Sequence, residues 1–348
     1  MPIYSTYIHI PFCKKKCNYC SFFSVANLSA KETYVQNLLK EVKKYYDGQS
    51  QKTIYFGGGT PSLLSLDDFK QILGQFKIAP NSEITVEMNP DGIEVDYLRS
   101  LKTLGINRLS IGVQSFDDEI LQTIGRSHGA EDSERAFEMA REAGFENISI
   151  DLMYGLPEQD LNGWERDLQT ALKLDPEHIS LYGLKIDEGC YFHKYPPLNL
   201  PDDDIQADMY LKAVEVLTGA GFEHYEISNF ARKNKEGRHN LNYWKLGYYN
   251  AFGANASGFD EKGRYKNTSN IKNWQKVEEQ NDLEAEEIFL SFRLLGEQGG
   301  VEAEKIEKKY APQLEKFIET GHIVKTENRY KLTLEGVLVS NLILCEFI

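Results

Sequence analysis

Six short runs of β-branched, aromatic and aliphatic residues punctuate the first half of the chain. They are Ser5–Ile10, Thr53–Phe56, Glu83–Met88, Arg108–Val113, Asn147–Met153 and His178–Leu184. Four of them give way within two residues to Gly, Pro or Asn, the residues that bring a strand to its end. Between the runs, apolar residues recur at helical spacing. Thr33–Tyr46 places Val35, Leu38, Leu39 and Val42 on one face. Asp67–Phe76, Val95–Leu104, Ser133–Ala143 and Trp164–Leu172 repeat that pattern, and Gly105 and Gly144 stand where C-terminal caps belong. Strand and helix alternate as parallel βαβ crossovers require. Six such units occupy about 190 residues, short of the eight that close a full barrel. The pattern predicts an α/β fold, an open partial (β/α)6 barrel.

The rhythm breaks at Pro196–Pro197 and Pro201–Asp204, which read as a linker. A helix over Ile205–Ala220 follows, then an aromatic, Asn-rich stretch, Tyr225–Tyr265. Glu284–Leu295 is a helix pattern, and Ala303–Tyr310 and Gln313–Thr320 read as two short helices. His322–Leu334 reads as a hairpin turning at Glu327–Asn328, and Val337–Phe347 as a final helix. This order predicts a smaller α+β domain resembling a winged helix. The expected organisation is therefore a barrel over 1–195, a connecting region over 196–280 and a C-terminal domain over 281–348. Residues 284–348 carry 12 acidic and 8 basic side chains, a balance suited to packing or partner binding and not to a DNA groove.

Charge narrows the picture further. The 348 residues include 39 Lys+Arg and 53 Asp+Glu, for a net charge of −14. Affinity for nucleic acid comes mainly from cations on phosphates, so no nucleic-acid partner is expected. Residues 1–10 lack a basic segment followed by a long apolar one, and no run approaches a bilayer-spanning length. A cytoplasmic protein is expected, reaching a membrane only through a partner.

Five cysteines are an odd count, and three of them, Cys13, Cys17 and Cys20, crowd a loop directly after the first strand. That is a poor disulfide framework and a better metal site. Structural zinc normally takes four ligands, often as two separated pairs. No second CxxC exists, although Cys190, Cys345 or His9 is available as a fourth ligand. The alternative is a cubane iron–sulfur cluster on three thiolates, which leaves one iron open to a small molecule. Lys14, Lys15 and Lys16 would offset the negative charge of such a cluster. Polar groups also gather at the ends of the later strands: Gly57–Gly58–Gly59–Thr60–Pro61, Glu87, Gln114 with Arg126 beyond it, and Asp151. In parallel α/β folds ligands collect at such ends.

CxxxCxxC after a first strand, with Tyr19 before the last cysteine, resembles the signature of radical S-adenosylmethionine (SAM) proteins. YIHIPFC (Tyr7–Cys13), FGGGTPS, VEMNP, GVQSF and IDLMYGLP together resemble the oxygen-independent coproporphyrinogen III oxidase-like family. The resemblance implies a [4Fe–4S] cluster on Cys13, Cys17 and Cys20. It implies SAM beside Tyr7, Tyr19, Gly58, Gly59, Thr60, Glu87, Gln114, Arg126 and Asp151. The family's oxidases decarboxylate coproporphyrinogen III. They carry a longer segment before the first strand and a cysteine two positions past the third; this chain has Phe22 there. His239–Asn240–Leu241–Asn242–Tyr243–Trp244 fits the HNxxYW motif of the HemW-type heme chaperone branch. That branch implies heme as a third cofactor, handled by His239, Tyr243 and Trp244, with Arg232, Lys233, Lys235 and Arg238 near its propionates. The implied partners are heme or a related tetrapyrrole, a heme-accepting apoprotein and, if SAM is cleaved, an electron donor. His224 and Cys190 are read as structural.

Overall fold

The computed structural model describes residues 4–280, 282–297 and 299–347. Six parallel strands form in sequence order: β1 Ser5–Ile10, β2 Gln51–Gly58, β3 Ile78–Met88, β4 Arg108–Gln114, β5 Ile148–Tyr154 and β6 His178–Gly183. Each pairs with its successor. The crossovers carry helices α1 Lys31–Tyr45, α2 Leu66–Leu73, α3 Val95–Thr103, α4 Asp118–Thr123, α5 Ala130–Glu142 and α6 Leu161–Lys173. Gly105 and Gly144, at φ 98° and 87°, follow α3 and α5 in the left-handed conformation that ends a helix.

Strict alternation runs through the sheet. Ile8, Ile10, Ile54, Phe56, Ile84, Val86, Leu109, Ile111, Ile148, Ile150 and Ile179 lie buried in one core with Leu38, Phe69, Leu98, Phe137 and Trp164 of the helices. The other phase is largely polar: Thr53 and Tyr55, Thr85 and Glu87, Arg108 and Ser110, Ser149 and Asp151, His178 and Ser180. Successive strand residues point to opposite faces, so this second set fills the concave interior. Many (β/α) barrels pack aliphatic layers there. Here the interior is hydrogen-bonded, with Ser149 Oγ to His178 Nδ1 at 2.7 Å and His178 Nε2 to the Tyr225 hydroxyl at 2.8 Å.

After the short helix α7 Tyr191–Lys194 and the long helix α8 Asp203–Gly219, the chain returns to the sheet. β7 Glu223–Glu226 and β8 Asn229–Ala231 extend it antiparallel beyond β6. β9 Asn250–Phe252 joins the other edge, parallel to β1. The sheet thus has nine strands and stays open. The three added strands are too short, at three or four residues, to show a periodicity.

Between β8 and β9, helix α9 Arg238–Trp244 meets the N-terminal ends of β2 and β3. Its N-cap, Gly237, has no side chain with which to cap. Glu83 of β3 does so instead, its two carboxylate oxygens accepting the backbone N–H groups of Arg238 and His239, each at 3.0 Å.

The C-terminal segment has its own core around Phe292, Ile306, Leu314, Ile323, Leu332 and Phe347. The two helices expected over 303–320 are present, meeting at a kink at Tyr310 (φ −124°, ψ 25°) just before Pro312. The hairpin pairs Ile323–Thr326 with Arg329–Leu332. The expected helix Val337–Phe347 is instead two pieces, Leu334–Leu338 and Ser340–Leu344, broken at Val339 (φ −112°, ψ 21°). Ser340 and Asn341, poor helix formers, sit at the break. No helix among the described residues is long and apolar enough to cross a membrane.

Candidate functional site

The loop after β1 leaves and re-enters the barrel rim through two backbone bonds, Cys13 N–H to Val25 O at 3.1 Å and Val25 N–H to Pro11 O at 2.7 Å. Asn18 pins its middle to the end of α4: its backbone N–H reaches Ile124 O at 2.9 Å and its side-chain amide reaches Thr123 O at 2.8 Å. Cys13, Cys17 and Cys20 are free thiols, half-buried on this loop.

Two groups from the barrel address the sulfurs. The Thr60 hydroxyl lies 3.7 Å from Cys13 Sγ, and Arg126 Nη1 lies 3.3 Å from Cys17 Sγ. Arg126 Nη2 donates to Asn89 Oδ1 at 2.9 Å and to Gly112 O, while its Nε is buried without a partner. Among the described residues, no three His, Cys, Asp or Glu side chains converge to hold a single metal ion. Mononuclear zinc needs that convergence. A cubane does not, because each thiolate takes its own iron. The donor set therefore fits a cluster better than zinc.

A cavity of about 330 Å³ opens at the C-terminal strand ends beside this loop. Its wall includes Cys13, Cys17, Cys20, Tyr19, Gly58, Gly59, Thr60, Glu87, Gln114, Arg126 and Asp151. Gly58, Gly59, Thr60, Glu87, Gln114, Arg126 and Asp151, from four different strand ends, are thus brought to one space. Tyr7 instead packs deeper, against Tyr55, with ring centroids 6.2 Å apart. The glycines are there for closeness. A Cβ on Gly59 would lie 2.6 Å from Phe12 O, and Gly58 has φ 112° with the His9 ring directly over it. Gln114 also adopts positive φ, 74°, where β4 shifts register against β5; a non-glycine in this region stores strain of the kind that collects at ligand sites.

Two carboxylates are held inside. Glu87 Oε1 accepts from the Tyr55 hydroxyl at 2.7 Å, and Oε2 accepts from Gly58 N–H at 3.1 Å. Burial pushes its pKa up to about 7, with the charge of Asp151 adding and the Tyr55 bond opposing. Asp151 accepts from Ser110 Oγ at 3.1 Å, and burial raises its pKa as well. Since folding raises the Glu87 pKa from 4.5 to about 7, the folded state holds a proton there that the unfolded state has lost. The ligand-free protein should lose about 2–3 kcal/mol of stability from this group as pH rises through that interval. Urea denaturation at pH 5 and pH 7.5 should show a shallower fall for Glu87→Gln; an unchanged fall would refute the assignment.

HNxxYW is not part of this cavity. His239 is 1% exposed, with Nδ1 2.7 Å from the Thr53 hydroxyl and Nε2 2.6 Å from the Tyr243 hydroxyl. Its ring stacks on Tyr55 at 5.2 Å, and burial lowers its pKa to about 3, so it is neutral. Trp244 lies beneath the Arg293 guanidinium at 4.5 Å, and Tyr243 packs on Tyr249 at 4.4 Å. Both imidazole nitrogens are thus engaged, at the end of the barrel away from the cysteines. Three of the neighbouring cations are engaged too. Arg232 pairs with Asp175 at 3.0 Å, Lys235 donates to Glu146 O at 2.6 Å and Arg238 to Asn81 O at 2.7 Å. His224 stacks on Phe230 at 4.2 Å, and buried Cys190 caps α7; both are structural.

The cavity wall also holds Phe22, Asn89, Ser110, Tyr182 and Lys185. Asn89 stands two residues past Glu87, and Ser110 and Tyr182 share the inward phase of β4 and β6. Their period-two spacing from the strand-end residues is legible in the sequence.

Comparison with known proteins agrees with this geometry. A family model described as the Radical SAM superfamily matches residues 7–171. The chain is 37% identical to the heme chaperone HemW of Escherichia coli K12, over 99% of this chain and 98% of that protein. It is 36% identical to the protein of the same name in Bacillus subtilis, covering 97% of each. Its fold is similar to that of the E. coli coproporphyrinogen III oxidase HemN, a radical SAM enzyme. The TM-score is 0.84 at 22% identity, over 99% of this chain and 89% of that one.

Proposed function

The chain belongs to the HemW heme-chaperone family of radical-SAM proteins, and from that membership we propose that it binds heme and passes it to heme-requiring apoproteins. In this reading Cys13, Cys17 and Cys20 hold a [4Fe–4S] cluster and SAM occupies the adjoining cavity. The observation that carries the proposal is the assembly of three thiols, two half-buried carboxylates and Arg126 around one cavity. The Arg126 guanidinium, with its unpartnered Nε, suits the SAM carboxylate. Glu87 and Asp151 suit the amine and ribose hydroxyls, Gly58 and Gly59 admit the ligand to the backbone, and Tyr19 flanks it. When bound, the cluster supplies an iron open to the amino-acid end of SAM. Five unpaired cysteines fit a reducing cytoplasm, and an electron donor is needed only if SAM is cleaved.

The test is anaerobic reconstitution followed by iron, sulfide and heme analysis and by transfer to a heme-free acceptor. About four iron and four sulfide per chain are expected, with heme uptake and transfer. Zinc without sulfide would end the radical-SAM reading. Conversion of coproporphyrinogen III to protoporphyrinogen IX without heme uptake would make the protein an oxidase.

A further inference from the structure

The hydrogen-bonded barrel interior holds one charge that nothing answers at close range. Arg108 opens β4 on the inward phase and is 3% exposed. Among the described residues its side chain donates no hydrogen bond and enters no ion pair, and its Nε is buried. Thr85, opposite it on β3, buries an unpartnered hydroxyl as well. A charge buried without a contact partner destabilises a fold, so packing does not explain this one.

The register shows what surrounds it. On the inward phase of β3, Glu83 and Glu87 stand two residues to either side of Thr85. Ser110, two residues beyond Arg108, faces Glu87 and donates to Asp151 at 3.1 Å. The guanidinium extends toward the start of α9, where a Cβ on Gly237 would lie 3.8 Å from Nη2. One cation thus stands among three carboxylates, with Glu83 on one side and Glu87 and Asp151 on the other. Its charge opposes the burial that raises the pKa of both cavity carboxyls.

The other groups that face Glu87 and Asp151 bring no charge from the interior. Tyr7 of β1, Tyr55 of β2, Tyr182 of β6 and Tyr243 of α9 are neutral; desolvation and the nearby carboxylates hold them above the usual phenol range. His178 and His239 are neutral because burial lowers their pKa. The cations of the cavity wall are Arg126, turned to Cys17, Asn89 and Gly112, Lys185, paired with Asp187, and Lys15 and Lys16 of the cysteine loop.

Separation matters here. A guanidinium in direct contact would take the lone pairs that a ligand needs. Set one inward step down the strand, about 7 Å, Arg108 still favours ionised carboxylates across a poorly screened interior. Three carboxylates sharing one cation also leave the interior short of two positive charges. SAM brings two, its sulfonium and its ammonium.

Resting on the SAM-binding reading of the cavity, we infer that Arg108 is a positioning residue that acts on SAM through Glu87 and Asp151. It holds them as carboxylates and leaves lone pairs for the ammonium and ribose hydroxyls.

The test measures SAM binding by equilibrium dialysis to the full-length, anaerobically reconstituted protein at pH 6.5 and pH 8.5. The comparison is Arg108→Met, which keeps the length of the side chain and removes its charge. At pH 6.5 the variant should bind about five-fold or more weakly than the wild type; at pH 8.5, where the carboxyls ionise unaided, the two should agree within about two-fold. Arg108→Lys restores the charge and should match the wild type at both pH values. Iron and sulfide content should be equal in all three. If the methionine variant does not fold, Arg108→Gln, neutral and able to hydrogen-bond inside the barrel, carries the same expectation. A neutral variant with wild-type affinity at pH 6.5, or with the same loss at both pH values, overturns the role of Arg108 and leaves SAM binding intact. Failure of the wild type to bind SAM overturns the reading of the cavity itself.

Discussion

Replacing Cys17 with serine is expected to cut the iron and sulfide retained after anaerobic reconstitution by more than ten-fold. A serine hydroxyl is not deprotonated near neutral pH and does not replace a thiolate. The loss extends beyond one ligand, because Arg126 Nη1 sits 3.3 Å from this sulfur and would lose the partner it faces. Thermal stability of the ligand-free protein should change little, since Cys17 is half-buried on a loop and outside the apolar core. Iron and sulfide assays on wild type and Cys17→Ser, with melting curves of the metal-free proteins, make the comparison. Full cluster loading in the variant would remove Cys17 from the donor set.

The second large effect is on folding. His239→Ala should destabilise the protein by about 2–4 kcal/mol, read as a lower urea midpoint at unchanged slope. The alanine removes a ring stacked on Tyr55 and leaves the Thr53 and Tyr243 hydroxyls without their partner in the barrel interior. Tyr243→Phe, which removes one hydroxyl, should cost about 1 kcal/mol. The loss should be greater at neutral pH than in acid. Folding lowers the His239 pKa to about 3 from 6.5, so the unfolded chain binds a proton below pH 6.5 that the folded chain refuses. The wild type loses stability as pH falls through that interval, and the alanine variant is spared that part of the loss. Hemin affinity of the folded variant should match that of the wild type. A normal midpoint with abolished hemin binding would reverse the reading and make His239 a ligand that turns outward.

The two histidine readings show where sequence and structure divide. HNxxYW is a motif with an imidazole, a phenol and an indole, and by residue type alone it suits a porphyrin. Only folding shows that Glu83, more than 150 positions earlier, caps its helix and that Thr53 and Tyr243 occupy its imidazole. The β7, β8 and β9 strands were hidden for a different reason. Runs of three or four residues carry too little alternation to be told from loop, and their partners β6 and β1 lie tens or hundreds of residues away. The break at Val339 likewise lies within an apolar periodicity that continues across it.

By itself the sequence determined the six parallel strands, the helices between them, the cysteine loop and the strand-end polar groups. Those features are local: side-chain period sets the element, and a parallel sheet puts strand ends at one rim whatever the remaining chain does. Tertiary structure alone decided which polar groups face ligand space and which spend their hydrogen bonds on the fold. Glu87 and Asp151 line the cavity, whereas Glu83 and His239 join α9 to β3 and β2. That choice depends on which distant group arrives within about 3 Å, and no residue type or spacing encodes it.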